Sequence, residues 1–460
     1  MPGLKYLGSY PAPAVSCSVA TGSAAHWMVE LMEQNKGKRA LRSVKRWLFV
    51  ILCICLTLSG CTPEEVGGTA AVLPSAAQTD ASGQLNDPAV PETPSPPLGS
   101  GEIRYGGGVT PLDAGQEDAI HAYMVAAYES LARPEAPDFS GLFSDQTQAR
   151  ASESGIALQI GMRTLIEGVD YSLTGYSYTL NCSETIHHED GTVEMNALET
   201  SIQNFAQFPG VDAERGRNFH HFLLEEVNGT WLIRAHMQYD TLYGRLMESE
   251  TGWRGDFSQA YIDAMPAFLE ELRTAQAERE RGRSGTTAWL PAADEPYDRA
   301  AALAYADQYA MSRNPDWADF SSSGGNCQNF ASQCLLAGGI PVDLYGDAVW
   351  TYGEGSSGRS GSWASVSQFL QYAAANTGFG LVSAVGAPYY AGEPGDLIQM
   401  GSEESWHHVV VIRRLVTDEA GNTVDYLIHS NTNDMRNYPA SLYGYPVFSL
   451  TRIAGWNSGA

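Results

Sequence analysis

The stretch Gly324-Gly325-Asn326-Cys327-Gln328-Asn329-Phe330-Ala331-Ser332-Gln333 decides how this chain of 460 residues is read. Two glycines close a loop. The residues after them read as a helix that stops at Gly338-Gly339, a C-terminal glycine signal. Cys327 therefore sits in the first helical turn, where unpaired backbone N–H groups and the positive end of the helix dipole favour a thiolate. Most free cysteines are buried packing residues, but polar Asn326, Gln328 and Asn329 surround this one. Cys334 is the contrast: among Leu335, Leu336 and Ala337 it reads as core.

A cysteine nucleophile needs a base and a group that orients the base. Upstream, 297–311 reads as an amphipathic helix with Ala301, Tyr305 and Tyr309 on one face. Downstream, a Gly/Ser-rich loop at 353–361 leads into Ser362-Trp363 and a further helix to 375. The pattern then switches to period two over 397–400, 408–415 and 424–429, with a turn at 418–422. A cysteine-bearing helix packed on an antiparallel sheet is expected. His408 opens one strand and His429 closes the next. A hairpin centred between Glu419 and Ala420 pairs His429 with Val410, on the face of His408, so the two rings become diagonal neighbours. A slip of one residue breaks this arrangement. Between His407 and His408 periodicity does not choose, because neighbours point to opposite faces and both faces of the strand are apolar.

These residues also resemble the putative amidase domain family of bacterial surface and secreted proteins. The resemblance rests on Tyr297 to Tyr309, on Gly325-Asn326-Cys327-Gln328-Asn329-Phe330-Ala331-Ser332-Gln333-Cys334 with Gly338-Gly339, and on Ser362-Trp363. Gly395-Asp396-Leu397-Ile398-Gln399, Trp406-His407-His408 and His429-Ser430-Asn431 complete it in the expected order. It implies a papain-like cysteine hydrolase fold related to the CHAP and NlpC cell-wall peptidases. In that pattern a tryptophan stands two residues before the catalytic histidine, which selects His408. A polar residue on the next strand is the third member, which points to His429, with Asn431 and Asn433 as alternatives. The oxyanion donors expected are the Cys327 backbone N–H and Asn326. Trp363 and Trp406 are candidates for the substrate groove, with core packing as their default role. The chain departs from the family with Asn326 for Asp, Gln328 for Thr, and Val409 for a small hydroxyl residue. The expected activity is hydrolysis of amide bonds in cell-wall peptides through a thioester. An acyl transferase on the same fold and a non-catalytic binding lipoprotein are the alternatives.

The N-terminal part reads as an address. Lys36, Lys38, Arg39, Arg42, Lys45 and Arg46 precede an apolar run at 47–58 that is short for a membrane span. Leu58-Ser59-Gly60-Cys61 resembles the bacterial lipobox, which implies cleavage before Cys61 and lipid on its sulfur. Met32 begins a leader of ordinary length, so 1–31 reads as an over-called start and 32–60 as the signal peptide. Localisation outside the cytoplasmic membrane, anchored by lipid, is expected. The formal charge is −26, and −31 without the first 60 residues, which speaks against nucleic-acid binding.

Residues 61–110, rich in Pro, Ala, Ser and Gly, read as a tether that buries too little apolar surface to fold. An accessory α+β domain is expected at 111–250, a helical connector at 251–290 and the cysteine hydrolase domain at 291–460. In the accessory domain, helical spacing from Ile120 to Leu131 is followed by alternating strands and by Asn228-Gly229, a hairpin signal. One helix and a curved antiparallel sheet resemble a cystatin-like roll. His187-His188, His220-His221 and His236 lack acidic or cysteine partners at ligand spacing, so neither metal nor cofactor is expected.

Overall fold

The computed structural model describes residues 97–459, except 134–135, 250–256, 284–288, 323, 346–348 and 354–358. The leader, Cys61 and most of the expected tether lie outside the described residues. The end of that tether does not: β1 (Gly99–Tyr105) is a strand, parallel to β2 (Leu173–His187). Gly99 and Gly101 permit it, because a Cβ at either would collide with Tyr176 or Tyr178.

The accessory part follows the helix-then-sheet pattern. α1 (Ala114–Ala132) starts at an Asp113–Gln116 capping box that satisfies two orphan N–H groups, and α2 (Gln146–Arg163) starts at Asp145. β2, β3 (Val193–Phe205), β4 (Asp212–Val227) and β5 (Thr230–Gln238) form an antiparallel meander. Asn228 and Gly229, both at positive φ, close the β4–β5 hairpin. Ile120, Tyr123, Tyr128 and Ile156 pack on its inner face with Leu180, Met195 and Phe222. α3 (Thr241–Ser249) and α4 (Ser258–Arg281) follow; α4 lies on α2 and α3, and its end reaches the C-terminal part, where Gln276 donates to Tyr390 and Arg283 to Thr423 O.

The C-terminal part begins with β6 (Glu295–Pro296), α5 (Arg299–Tyr309) and α6 (Cys327–Ala337). α7 (Gly361–Ala364) and α8 (Val366–Ala375) are split at Ser365. β7 (Gly380–Ala387), β8 (Leu397–Gly401), β9 (Trp406–Thr417), β10 (Thr423–Ser430), β11 (Met435–Pro439) and β12 (Val447–Asn457) complete the chain. One sheet runs through both parts in the order β1-β2-β3-β4-β11-β10-β9-β8-β12-β6, with β5 on β4 and β7 on β12. The junction is β11 on β4, where Met435 pairs with Arg215. The molecule is α+β, and its accessory strands extend the sheet that carries the candidate site. Among the described residues no helix is long and apolar enough to cross a membrane.

Candidate active site

Gly324 and Gly325 adopt φ of +102° and +111°, a backbone other residues rarely reach, and so turn the chain into α6. Asn326 is the residue before the helix, and its backbone N–H, its Oδ1 and one Nδ2 hydrogen are engaged. Its N–H donates to Thr432 Oγ1 (2.5 Å), its Nδ2 to Asn431 Oδ1 (2.9 Å), and its Oδ1 accepts from Phe320 N–H and Asn329 Nδ2. Asn326 thus ties the loop to Thr432 and Asn431, and its backbone N–H is taken and not available to an oxyanion. The Cys327 backbone N–H, in the first turn, keeps its orientation toward the sulfur.

Cys327 is 7% exposed. Burial pushes its thiol above the ordinary value, against the backbone N–H groups of Val409, Gln328 and Cys327 itself, which pull it down. Desolvation thus wins over the helix terminus, contrary to the thiolate that position alone favours. Val409 follows His408, so the sulfur lies against the strand that carries the base candidate. Among the described residues no hydrogen bond joins Sγ to the His408 ring. Burial alone lowers His408 to about 3, so both groups are neutral at pH 7. The Tyr443 ring lies 5.0 Å from the His408 ring, centroid to centroid, and Tyr443 also feels the Cys327 charge.

His408 Nε2 is 2.9 Å from Ser430 Oγ, and Ser430 Oγ–H reaches Asn431 O (3.3 Å). With that hydroxyl donating onward, Nε2–H donates to Ser430 and Nδ1 keeps its lone pair for the proton of an attacking thiol. The tautomer is assigned from this network. A carboxylate is absent from these contacts, which is why nothing offsets the desolvation of His408.

His429 does not stand where the hairpin reading places it. It pairs with Val411 rather than Val410, because the turn closes at Thr417–Thr423 and irregularities follow at Thr423/Asp425 and Leu427/Ile428. The change of one residue turns His429 to the other face and brings Ser430 to His408. His429 Nε2 meets Asp307 Oδ1 of α5 at 2.7 Å, and Nδ1 accepts from Asn437 N–H. Burial raises Asp307, yet hydrogen bonds from His429 and Arg413 hold it at about 2. Asn431 is also off the ring: its Nδ2 donates to Tyr309 O and Ala310 O, pinning the end of α5. Asn433 is exposed, at φ +52° beside Thr432 at +71°.

Trp363 is fully buried, stacked at 5.3 Å on Trp317, with Nε1 donating to Asn329 Oδ1. It supports α6 from behind and lines no surface. Trp406 is half-buried beside an irregularity at which β9 passes from Trp406–Gly401 to His408–Met400. His407 is exposed and stacks on Tyr445. Sequence reasoning missed Ser430 and Tyr443. Ser430 stands between two residues it weighed and was separable only by register; Tyr443 comes from a turn far along the chain.

Residues 296–448 match the family model described as a putative amidase domain, which at a coarse level supports an amide hydrolase. Over 142 residues the chain is 30% identical to the "Uncharacterized protein YhbB" of Bacillus subtilis (strain 168), covering 30% of this chain and 43% of that protein. The chain thus spans less than half the length of this curated relative. No solved structure matches.

Proposed function

We propose that the protein is a cysteine-dependent amide hydrolase of papain-like type, lipid-anchored through Cys61 outside the cytoplasmic membrane and acting on cell-wall peptides. What supports the chemistry is that Cys327 at the start of α6 lies against the backbone of Val409, the residue after His408 on β9, and that His408 Nε2 is held by Ser430. Cys327 Sγ attacks the amide carbonyl carbon as His408 Nδ1 takes its proton. The carbonyl oxygen becomes an oxyanion facing the Cys327 N–H at the helix start. The C–N bond breaks as His408 returns the proton to the leaving amine, leaving a thioester. Water then attacks the thioester with its proton passing to Nδ1, and carboxylate and thiol are released.

With both groups neutral at rest, the thiol proton passes to His408 as the sulfur attacks, and entry of substrate must raise the basicity of the buried imidazole for this step to run. Hydrogen bonds at such sites tighten when substrate enters. The match to an amidase domain and the lipobox-like leader support the reaction class and the location. The test is release of new amines from purified cell-wall peptides by the protein and by Cys327→Ala. Release by the protein alone supports the reading; equal release, or none from either, overturns it.

A further inference from the structure

The turn after β11 touches both parts of the molecule. Ala440–Tyr443 forms one 3-10 turn, and Gly444 closes it at φ +71°, a left-handed backbone that favours glycine. A Cβ at Gly444 would stand 3.3 Å from Met162 Sδ and 3.5 Å from Thr241 Oγ1, so the turn lies directly on the end of α2 and the start of α3. Thr241 Oγ1–H donates to Tyr443 O at 2.9 Å. Asp425 Oδ2 of β10 accepts from Ser441 Oγ–H (2.6 Å) and from the hydroxyl of Tyr171 in the accessory part (2.7 Å). Arg279 of α4 donates to Pro446 O (3.3 Å), and its guanidinium lies 4.5 Å from the centre of the Phe448 ring. β11, which pairs with β4, leads straight into this turn.

What the turn delivers to the candidate site is a ring. Tyr443 is 8% exposed, and its ring lies 5.0 Å from that of His408, tilted by 33°. Its hydroxyl is buried near Ser430 without a formed hydrogen bond. Tyr438 meets the Tyr443 ring edge-on at 6.5 Å, and Phe205 of β3 backs Tyr438 at 5.9 Å. Backbone ties and ring packing therefore place Tyr443, and its hydroxyl does not. His408 needs one orientation, with Nε2 on Ser430 and Nδ1 left for the thiol proton. A ring packed against the imidazole restricts its rotation before substrate arrives, and a base held in place reacts faster than one that must find its place.

We infer that the accessory part is a working piece of the hydrolase site: it clamps the 440–446 turn, and the turn sets Tyr443 against His408. Tyr443 and Thr241 are positioning residues that act through His408. Both roles rest on the hydrolase reading above.

The test uses the full chain and four variants, with urea unfolding to count folded molecules. Amine release from cell-wall peptides gives kcat and KM for each. Tyr443→Leu should lower kcat about 10- to 100-fold with KM within about twofold, because the base is misplaced while substrate binding is untouched. Tyr443→Phe keeps the ring and should stay within about twofold of the parent, since the hydroxyl has no partner to lose. Thr241→Val keeps the shape but loses the donor, and should lower kcat roughly three- to tenfold; Thr241→Ser should restore it. A second readout needs no turnover: NMR of the His408 Nε2–H, identified by its absence in His408→Gln. Its exchange with solvent should quicken in Tyr443→Leu and Thr241→Val and stay slow in the two conservative variants. In an active parent, an unchanged kcat or an unchanged exchange rate in Tyr443→Leu or Thr241→Val overturns the inference and leaves the hydrolase reading standing. So does a Tyr443→Phe as impaired as Tyr443→Leu, or a loss confined to the folded fraction. Absence of amine release from the parent overturns the hydrolase reading instead, and the exchange rates alone then decide whether the turn holds His408.

Discussion

Replacing Ser430 by Ala and His429 by Asn separates the two neighbours that the register of one hairpin distinguishes. Ser430→Ala removes the oxygen that holds His408 Nε2 at 2.9 Å. In the resting site this is a neutral hydrogen bond, worth about 0.5–1.5 kcal/mol; once His408 has taken the thiol proton it is a charged one, worth about 1.5–3 kcal/mol. Only the difference, about 1–1.5 kcal/mol, accelerates the reaction. Its loss lowers kcat roughly 5- to 13-fold. His429→Asn keeps an acceptor near Asn437 N–H but removes the Nε2 that meets Asp307. The Asp307 carboxylate left behind is 43% exposed on its side chain and keeps Arg413, so solvent screening limits the cost to about 1 kcal/mol of stability. Activity per folded molecule should stay within about twofold, since no transition-state contact is lost. The assay is amine release from cell-wall peptides, with urea unfolding of each variant to count folded protein. A folded His429→Asn that loses about a thousandfold or more, beside a Ser430→Ala close to the parent, would refute the placement of Ser430 as the orienting group.

Three further outcomes follow from the same geometry. Alkylation of Cys327 by iodoacetamide, read on its tryptic peptide, should climb with pH through and beyond 8, because burial holds the thiol above its ordinary value; a plateau from pH 5 to 8 would reveal a thiolate–imidazolium pair instead. His408 titrates near 3 in the fold and near 6.5 when unfolded, so the unfolded chain binds more protons between these values and stability falls as pH drops from 6.5 toward 3. The contribution is at most about 1.4 kcal/mol per pH unit, and His408→Gln should flatten that part of the urea-stability profile; an unchanged slope contradicts a neutral buried His408. Gly325→Ala places a Cβ at ordinary contact from Thr432, so its cost is the backbone at φ +111°, about 1–3 kcal/mol; a stability equal to the parent would show that the turn into α6 relaxes freely.

Much of the fold was legible because its signals are local. The glycine pair, the helix carrying Cys327 and Cys334, the helical spacing from Ile120 to Leu131 and the Asn228-Gly229 hairpin each depend on residues a few positions apart, where backbone preference and side-chain alternation act directly. Cys334 is fully buried, as its apolar neighbours imply. The aromatic residues were harder: a tryptophan in a groove and one in a core share a pattern, and only the stacking of Trp363 between Trp317 and Trp350 places it inside.

By itself the sequence determined which residues carry reactive chemistry and on which kinds of element they ride: a cysteine at a helix start, histidines on strands, and a polar run after the last of them. Tertiary structure decided which of these meet. Side chains alternate along a strand, so the irregular pairing of β9 with β10 exchanges His429 for Ser430 without altering either strand's pattern. Burial likewise belongs to the assembled fold, and it makes both Cys327 and His408 neutral where the helix terminus alone favours a charge. The junction of β4 with β11 is also a long-range event, joining two segments that read as separate domains into one sheet.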